Sequence, residues 1–346
     1  MSRFLRACRG EAVDATPIWL MRQAGRYQAE YRSIRSKVSF VELCMRPDLA
    51  SEVTVMAARQ LGVDAAIIFA DILLILGPLG VPFTFEKGDG PKILKPIRSA
   101  VDVDAVAEHI DAAAELHYVM EAIRQTRAEL TEVPLIGFAG APFTLASYAI
   151  EGGGSKNYYE TKKLMFSDKG LWDSLMQRLV RGTATYLNAQ VDAGAEALQI
   201  FDSWVGCLSA DAYRTHVQPH METLFASLDG RVPVIHFGTG NPAIYPAMCH
   251  AGGDVLGVDW RVDLRATWDS LPRPVPVMGN LDPGFLLATE SAMLAEAGRI
   301  LRDVGGKPGH IFNLGHGIMP EAQVPQVQAL VRYVHEASAA IIDKAS

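Results

Sequence analysis

Eight short apolar runs, amphipathic segments between most of them, and polar or glycine residues closing every run predict an α/β fold. The pattern fits a single-domain (β/α)8 barrel, a TIM barrel, with a small hairpin insertion after strand 2. The runs cover 17–21, 64–70, 134–138, 195–201, 232–237, 254–258, 275–278 and 310–314. Each is continuously apolar, without alternation of period two, as strands buried on both faces of a parallel sheet must be. Helical periodicity is clearest over 40–61, 101–130, 171–193, 210–227, 285–304 and 324–344. Eight strand–helix units in 346 residues match the size of such a barrel. The rival, a doubly wound open sheet, has fewer strands and a switch point. Segment 81–97 breaks the rhythm, and Lys87-Gly-Asp-Gly90 reads as the turn of a hairpin. No Pro/Ser/Gly-rich linker divides the chain, so residues 1–346 are expected to form one domain.

Composition narrows the function. Hydrophobic residues make up 49% and charged residues 21%, a globular balance and not a disordered one. A formal charge of −7 argues against a general binder of nucleic acid or anionic membrane. Residues 1–37 nevertheless hold a net +5, leaving −12 for the remainder. A local basic cluster on an acidic protein points to a discrete anionic ligand. The four cysteines (Cys8, Cys44, Cys207, Cys249) are widely spaced, which suggests reduced thiols in a cytoplasmic protein and no clustered thiolate metal site. No signal peptide is visible. The most apolar window, 61–81, is interrupted by Asp64 and Asp71, so it is expected to be a buried strand and its following loop, not a membrane span.

Active sites of such barrels lie at the C-terminal ends of the strands. The first run ends in Arg22-Gln23-Ala24-Gly25-Arg26, the second in Ala70-Asp71 and the third in Ala139-Gly-Ala-Pro142. The fourth gives Asp202-Ser203-Trp204, the fifth Gly238-Thr-Gly-Asn241 and the sixth Asp259-Trp260. The last two end in Gly279-Asn-Leu-Asp282 and Gly315-His316-Gly317. Arg22, Arg26, Arg32 and Arg35 offer rigid forks of donors matched to carboxylate or phosphate. Asp71, between Ile67-Ile-Phe-Ala70 and Ile72-Leu-Leu-Ile-Leu76, must be paired or have a raised pKa. It either caps a helix after the strand or points into the barrel mouth as an acceptor for N–H or cationic groups. His316 sits between glycines, which permit close approach of backbone to ligand. Tyr148 and Ser203 are weak signals individually. His216 and His220 have metal-ligand spacing, but Pro219 separates them and no HExxH glutamate follows. Gly152-Gly-Gly-Ser155 lacks the lysine of a phosphate loop.

Assembled, these segments resemble the uroporphyrinogen decarboxylase family nearly end to end. The likeness rests on Pro17-Ile-Trp-Leu-Met-Arg-Gln-Ala-Gly-Arg-Tyr27, Phe69-Ala-Asp-Ile-Leu73, Gly140-Ala-Pro-Phe-Thr-Leu145 and Tyr148 with Glu151-Gly-Gly-Gly-Ser155. It continues in Phe201-Asp-Ser-Trp204, Gly279-Asn-Leu-Asp-Pro283 and Phe312-Asn-Leu-Gly-His-Gly317. Ala29, where a proline is common, and the residues after Pro320 depart from the family pattern. The resemblance implies a (β/α)8 barrel, a homodimer with facing clefts, and a carboxy-lyase of tetrapyrrole and heme biosynthesis that needs no cofactor and no metal. Its substrate would be uroporphyrinogen III, whose four acetates become methyls in coproporphyrinogen III. By resemblance Arg22, Gln23, Ala24, Gly25, Arg26, Arg35, Asp71, Tyr148, Ser203 and His316 bind that substrate. Asp71, Arg22, Tyr148 and His316 are expected to serve catalysis, with Asp71 at the pyrrole N–H groups. The proton donor stays open among Arg22, Tyr148, His316 and water. Two rivals are a zinc-dependent corrinoid or thiol methyltransferase on the same fold and a non-catalytic tetrapyrrole carrier. The first needs a His-x-Cys motif where this chain has His236-Phe237-Gly238.

Overall fold

The computed structural model describes residues 2–86 and 90–345. Among the described residues nine strands form two sheets: β1 (Ala66–Ile67), β2 (Phe83–Glu86), β3 (Gly90–Ile93), β4 (Leu135–Gly140), β5 (Ala197–Asp202), β6 (Val234–Gly238), β7 (Val255–Gly257), β8 (Val277–Met278) and β9 (His310–Ile311). Seven of them make a curled parallel sheet in the order β1-β4-β5-β6-β7-β8-β9, and β2 pairs antiparallel with β3 as the hairpin expected after the second run. Of that hairpin's expected turn, Lys87 to Asp89 lie outside the described residues.

The first run, expected to be a strand, makes a single bridge instead. Ile18 pairs parallel with Phe312, just past β9. The Phe312 N–H donates to the Pro17 carbonyl (2.8 Å), and the Asp64 N–H donates to the Ile18 carbonyl (2.8 Å). The run therefore lies between the end of β9 and the start of β1 and joins the two edges of the curled sheet. It stays out of regular strand geometry because the Ile18 N–H is taken by the Asp64 carboxylate (2.7 Å) and not by a strand carbonyl. The other runs were expected longer than their ladders. Their last residues leave the sheet to build loops at one end of the barrel.

Prolines and caps subdivide the helical segments. Arg46, forced toward extended backbone (φ −102°, ψ 99°) by the following proline, splits 40–61 into Phe40–Met45 and Pro47–Leu61. The 101–130 segment becomes Ala100–Asp104, Ala112–Glu115 and His117–Glu129, and 210–227 becomes Ala210–His216 and Gln218–Ala226. Two helices that periodicity did not indicate, Ala29–Arg35 and Pro142–Glu151, bear Arg35 and Tyr148. One hydrophobic cluster runs from Phe4 to Val334. Within it Phe138, Phe201 and Phe237 on β4, β5 and β6 stack edge to face at 5.5 and 6.0 Å between centroids. No helix among the described residues is long and apolar enough to cross a membrane.

Asp64 is the clasp of this closure. Besides the Ile18 N–H it accepts from Arg3 (2.9 Å) and from His335 of the C-terminal helix (2.6 Å), so one half-buried carboxylate ties three distant segments together. It lies before β1, at the end of the barrel away from the strand C-termini. Asp64→Ala is expected to lower unfolding free energy by about 2–4 kcal/mol, because it removes the acceptor of the Ile18 N–H, the Arg3 guanidinium and the His335 ring. Urea denaturation measures this.

Candidate active site

The loop after the first run is shaped by its own hydrogen bonds. The Gly25 N–H donates to Gln28 Oε1 (2.9 Å), the Gln28 N–H returns a bond to the Gly25 carbonyl (3.0 Å), and the Tyr27 hydroxyl donates to the Gln23 carbonyl (2.5 Å). Arg22 adopts a left-handed backbone (φ 60°), unusual for a side chain of its size and a form of strain concentrated at functional sites. The flanking Met21 fixes it: its N–H donates to Asn313 Oδ1 (3.2 Å) and its carbonyl accepts from Ile318 (2.9 Å). The Arg22 and Arg26 guanidinium groups have no hydrogen bond or ion pair among the described residues, so their donors are available to a ligand.

His316 is wedged between two walls by its flanking glycines. A Cβ on Gly317 would fall 2.6 Å from Arg22 Cγ, and one on Gly315 would fall 2.8 Å from the Asp259 carbonyl carbon and 2.9 Å from Trp260 Cα. Only glycine allows the two backbones and the arginine stem to approach this closely. The imidazole meets the Trp260 ring edge to face at 6.1 Å. Burial, then the charges of Arg22 and Arg261, lower its pKa to about 4 against the pull of Asp259, so His316 is neutral near pH 7.

Asp71 does not cap the short helix that follows, whose N-cap is Leu73. Its Oδ1 accepts from the Leu73 N–H (2.8 Å) and shapes the turn into the short helix Leu74–Leu76, while its other oxygen has no hydrogen bond among the described residues. No salt bridge ties it up among the described residues. Burial among apolar neighbours raises its pKa from 3.8 to about 6, against the Leu73 N–H and the Arg22 charge, which favour the anion. Tyr148 lies within reach of the same two charges. Burial, then Asp71, pushes its phenol up to about 12, opposed by a hydrogen bond from Trp204 and by Arg22. The Tyr148 and Trp204 rings lie 5.5 Å apart. Arg22, Asp71, Tyr148 and His316 thus share one electrostatic neighbourhood, assembled from four distant stretches of chain.

The remaining candidates have no hydrogen bond or ion pair to this group among the described residues. Gln23 is buried, with both amide atoms unpartnered, and Ala24 packs against the small cluster of Tyr31, Leu43 and Val53. Arg26 is exposed, and its carbonyl accepts from Arg32 (2.8 Å). Arg35, in the last turn of Ala29–Arg35, donates to the Val38 carbonyl. The Ser203 carbonyl accepts from the Thr239 hydroxyl (3.0 Å).

Sequence reading overlooked the supports. Asp202 is fully buried and accepts from the Thr144 hydroxyl (2.9 Å), which in turn accepts from the Trp204 N–H (3.3 Å). That relay ties the helix bearing Tyr148 to the end of β5. Burial lifts the Asp202 pKa to about 7, with Thr144 opposing. The signal was present in Phe201-Asp-Ser-Trp204, but the partner, Thr144, lies 58 positions away. No three His, Cys, Asp or Glu side chains are grouped as a metal would need among the described residues. At the position of the cysteine required by the methyltransferase reading, a Cβ on Gly238 would fall 2.6 Å from the Met248 sulfur.

Two predictions follow from this geometry. Gly317→Ala should displace the Arg22 stem and lower kcat/KM by about 100-fold with little change in melting, as a displacement near 1 Å at a site can. Because the fold disfavours the Asp71 anion, wild-type stability should fall as pH rises from 3.8 through about 6. Asp71→Asn keeps the Leu73 bond, so it should stabilise the protein by about 1–3 kcal/mol near neutral pH. The difference should vanish in melts below about pH 4.

The model of the family described as uroporphyrinogen decarboxylase (URO-D) matches residues 1–337. Proteins named uroporphyrinogen decarboxylase from Koribacter versatilis and Sorangium cellulosum are 49% and 51% identical to this chain. The first alignment covers 99% of this chain and 97% of the relative, the second 96% and 95%. Among solved structures, a methyltransferase from Methanosarcina mazei superposes with a TM-score of 0.81 at 21% identity, covering 96% of this chain and 97% of its own, a likeness of fold alone. With the family model matching residues 1–337 and relatives about half identical along nearly the whole sequence, the chain belongs to the uroporphyrinogen decarboxylase family.

Proposed function

We propose that this chain is a carboxy-lyase that removes carbon dioxide in turn from the four acetate side chains of uroporphyrinogen III, giving coproporphyrinogen III. The observation that carries the reading is the unpaired oxygen of the half-buried Asp71, within electrostatic reach of the uncommitted Arg22 guanidinium. Loss of carbon dioxide from a pyrrole acetate needs an electron sink. Protonation of the pyrrole ring creates one, as an iminium-like cation. The C–C bond then breaks, its electron pair flows into the ring, the exocyclic carbon takes a proton, and the ring gives up the proton it had gained. An anion fixed against the pyrrole N–H groups stabilises the cation, the counterpart of an oxyanion hole.

Roles follow from charge and protonation state. Arg22, Arg26 and Arg35 hold peripheral carboxylates, and Gln23, Ala24 and Gly25 shape the loop that presents them. Tyr148, Ser203 and His316 orient the substituents. His316 is neutral near pH 7 and the Tyr148 phenol keeps its proton, so both are weak acids and solvent within the cleft is the better supported proton source. No cofactor enters this sequence of steps. Family resemblance supports a homodimer. A single family match over 1–337 supports one domain, and the four free cysteines support a cytoplasmic location. A carrier that binds tetrapyrroles without turnover would need the arginines but not the buried anion.

An anaerobic assay with reduced uroporphyrinogen III tests the reading through the carboxyl count of the products. Progressive loss to the tetracarboxylate is expected, and unchanged octacarboxylate would refute it. Arg26→Ala should raise KM by about tenfold through loss of a charge-assisted pair. The rate should decline as pH falls through about 6, where Asp71 takes up a proton.

A further inference from the structure

We propose that Arg261 is a further substrate-binding residue, holding a peripheral carboxylate of the tetrapyrrole from a different arc of the barrel mouth than the loop of Arg22, Arg26 and Arg35. The inference rests on the function proposed above and adds a ligand contact to it.

The arginines of residues 22–35 all belong to the segment that follows the run between β9 and β1. A macrocycle with carboxylates on every side, centred over Asp71, leaves groups facing other walls. Outside residues 1–37 the chain is strongly acidic, so a cation placed at the mouth from elsewhere is notable. Arg261 is such a cation. It follows β7, which is separated from the first segment by β8 and β9 around the ring.

The side chain is held ready for a ligand and is not simply exposed. Its guanidinium carbon lies 3.8 Å from the centroid of the Trp260 ring, and the same tryptophan meets His316 at its edge. Arg261 Nη1 bonds Asp259 Oδ2 (2.7 Å), a carboxylate with no exposure, while 46% of the Arg261 side chain remains exposed. Asp259 does not depend on this partner alone. It also accepts from the Gly240 N–H (2.6 Å) and the Arg261 N–H (2.9 Å). Nε and Nη2 of Arg261 have no partner among the described residues, which leaves two donors of the fork for a second carboxylate. The stack on Trp260 and the anchor on Asp259 limit the rotamer freedom lost on binding. His316, Trp260 and Arg261 make one continuous wall, and the charge of Arg261 reaches His316.

The alternative is that Arg261 serves Asp259 only. Steady-state kinetics on reduced uroporphyrinogen III, inhibition by reduced coproporphyrinogen III and thermal melting separate the two. Arg261→Gln is expected to raise KM by about tenfold with kcat within about threefold. Arg261→Lys should fall between, since it keeps the charge and loses the fork. A parallel weakening of coproporphyrinogen inhibition assigns the contact to a propionate. Unchanged inhibition with raised KM assigns it to an acetate, and either result supports the proposal. KM and inhibition both within twofold of wild type would overturn it. If Arg261→Gln does not fold, the double variant with Asp259→Asn, which removes the buried charge together with its partner, is judged by the same criterion. A wild-type protein without turnover would defeat the proposed function and this inference with it. An active wild type with unaffected Arg261 variants would defeat this inference alone.

Discussion

A carboxylate set among isoleucine and leucine side chains is disfavoured by its surroundings, and the architecture of the strand C-termini is arranged around that cost. Asp71 leaves β1 on a turn that satisfies one of its oxygens through Leu73 and leaves the other open. Arg22 supplies the compensating charge without forming a closed ion pair. Had the two met in a direct salt bridge, the anion would be quenched and the arginine spent on it. The separation keeps both available, one for N–H donors and one for carboxylates.

That placement depends on elements far from β1. Arg22 is held by a strained backbone whose neighbours are fastened to Asn313 and Ile318, and its stem lies against Gly317. The same glycine-flanked loop is pressed through Gly315 onto Asp259 and Trp260. Across the mouth, Asp202 and Thr144 fix the helix carrying Tyr148 to the end of β5. At the opposite end of the barrel Asp64 joins the first segment to β1 and to the C-terminal helix, so the loop bearing Arg22 is anchored from below. Precision at the candidate site is thus a consequence of closure, since its side chains come from distant stretches of chain.

The barrel was readable because its strands are buried on both faces and therefore continuously apolar. Asp71 was readable for the same reason, as a charge interrupting such a run. What escaped the sequence depends on contacts between distant residues. The first run looks like any other strand, yet its Ile18 N–H is captured by the side chain of Asp64. The helix Pro142–Glu151 is so largely buried that it shows little amphipathic contrast. The helix Ala29–Arg35 is short and mostly polar. Thr144 and Gly315 look ordinary until the fold brings Asp202 and Trp260 against them. Arg261 sits one residue beyond the polar pair that closes the sixth run, and only the stack on Trp260 and the bond to Asp259 mark it out.

The account stands or falls on negative charge at position 71. Asp71→Asn preserves shape, the Leu73 hydrogen bond and every arginine, and removes only the charge. Anaerobic single-turnover release of carbon dioxide from bound uroporphyrinogen III, measured together with the dissociation constant, isolates its effect. The expected result is a rate lower by on the order of 1000-fold with affinity nearly unchanged, the scale at which loss of one preorganised electrostatic partner acts. Carbon dioxide release from the asparagine variant at close to the wild-type rate would contradict it.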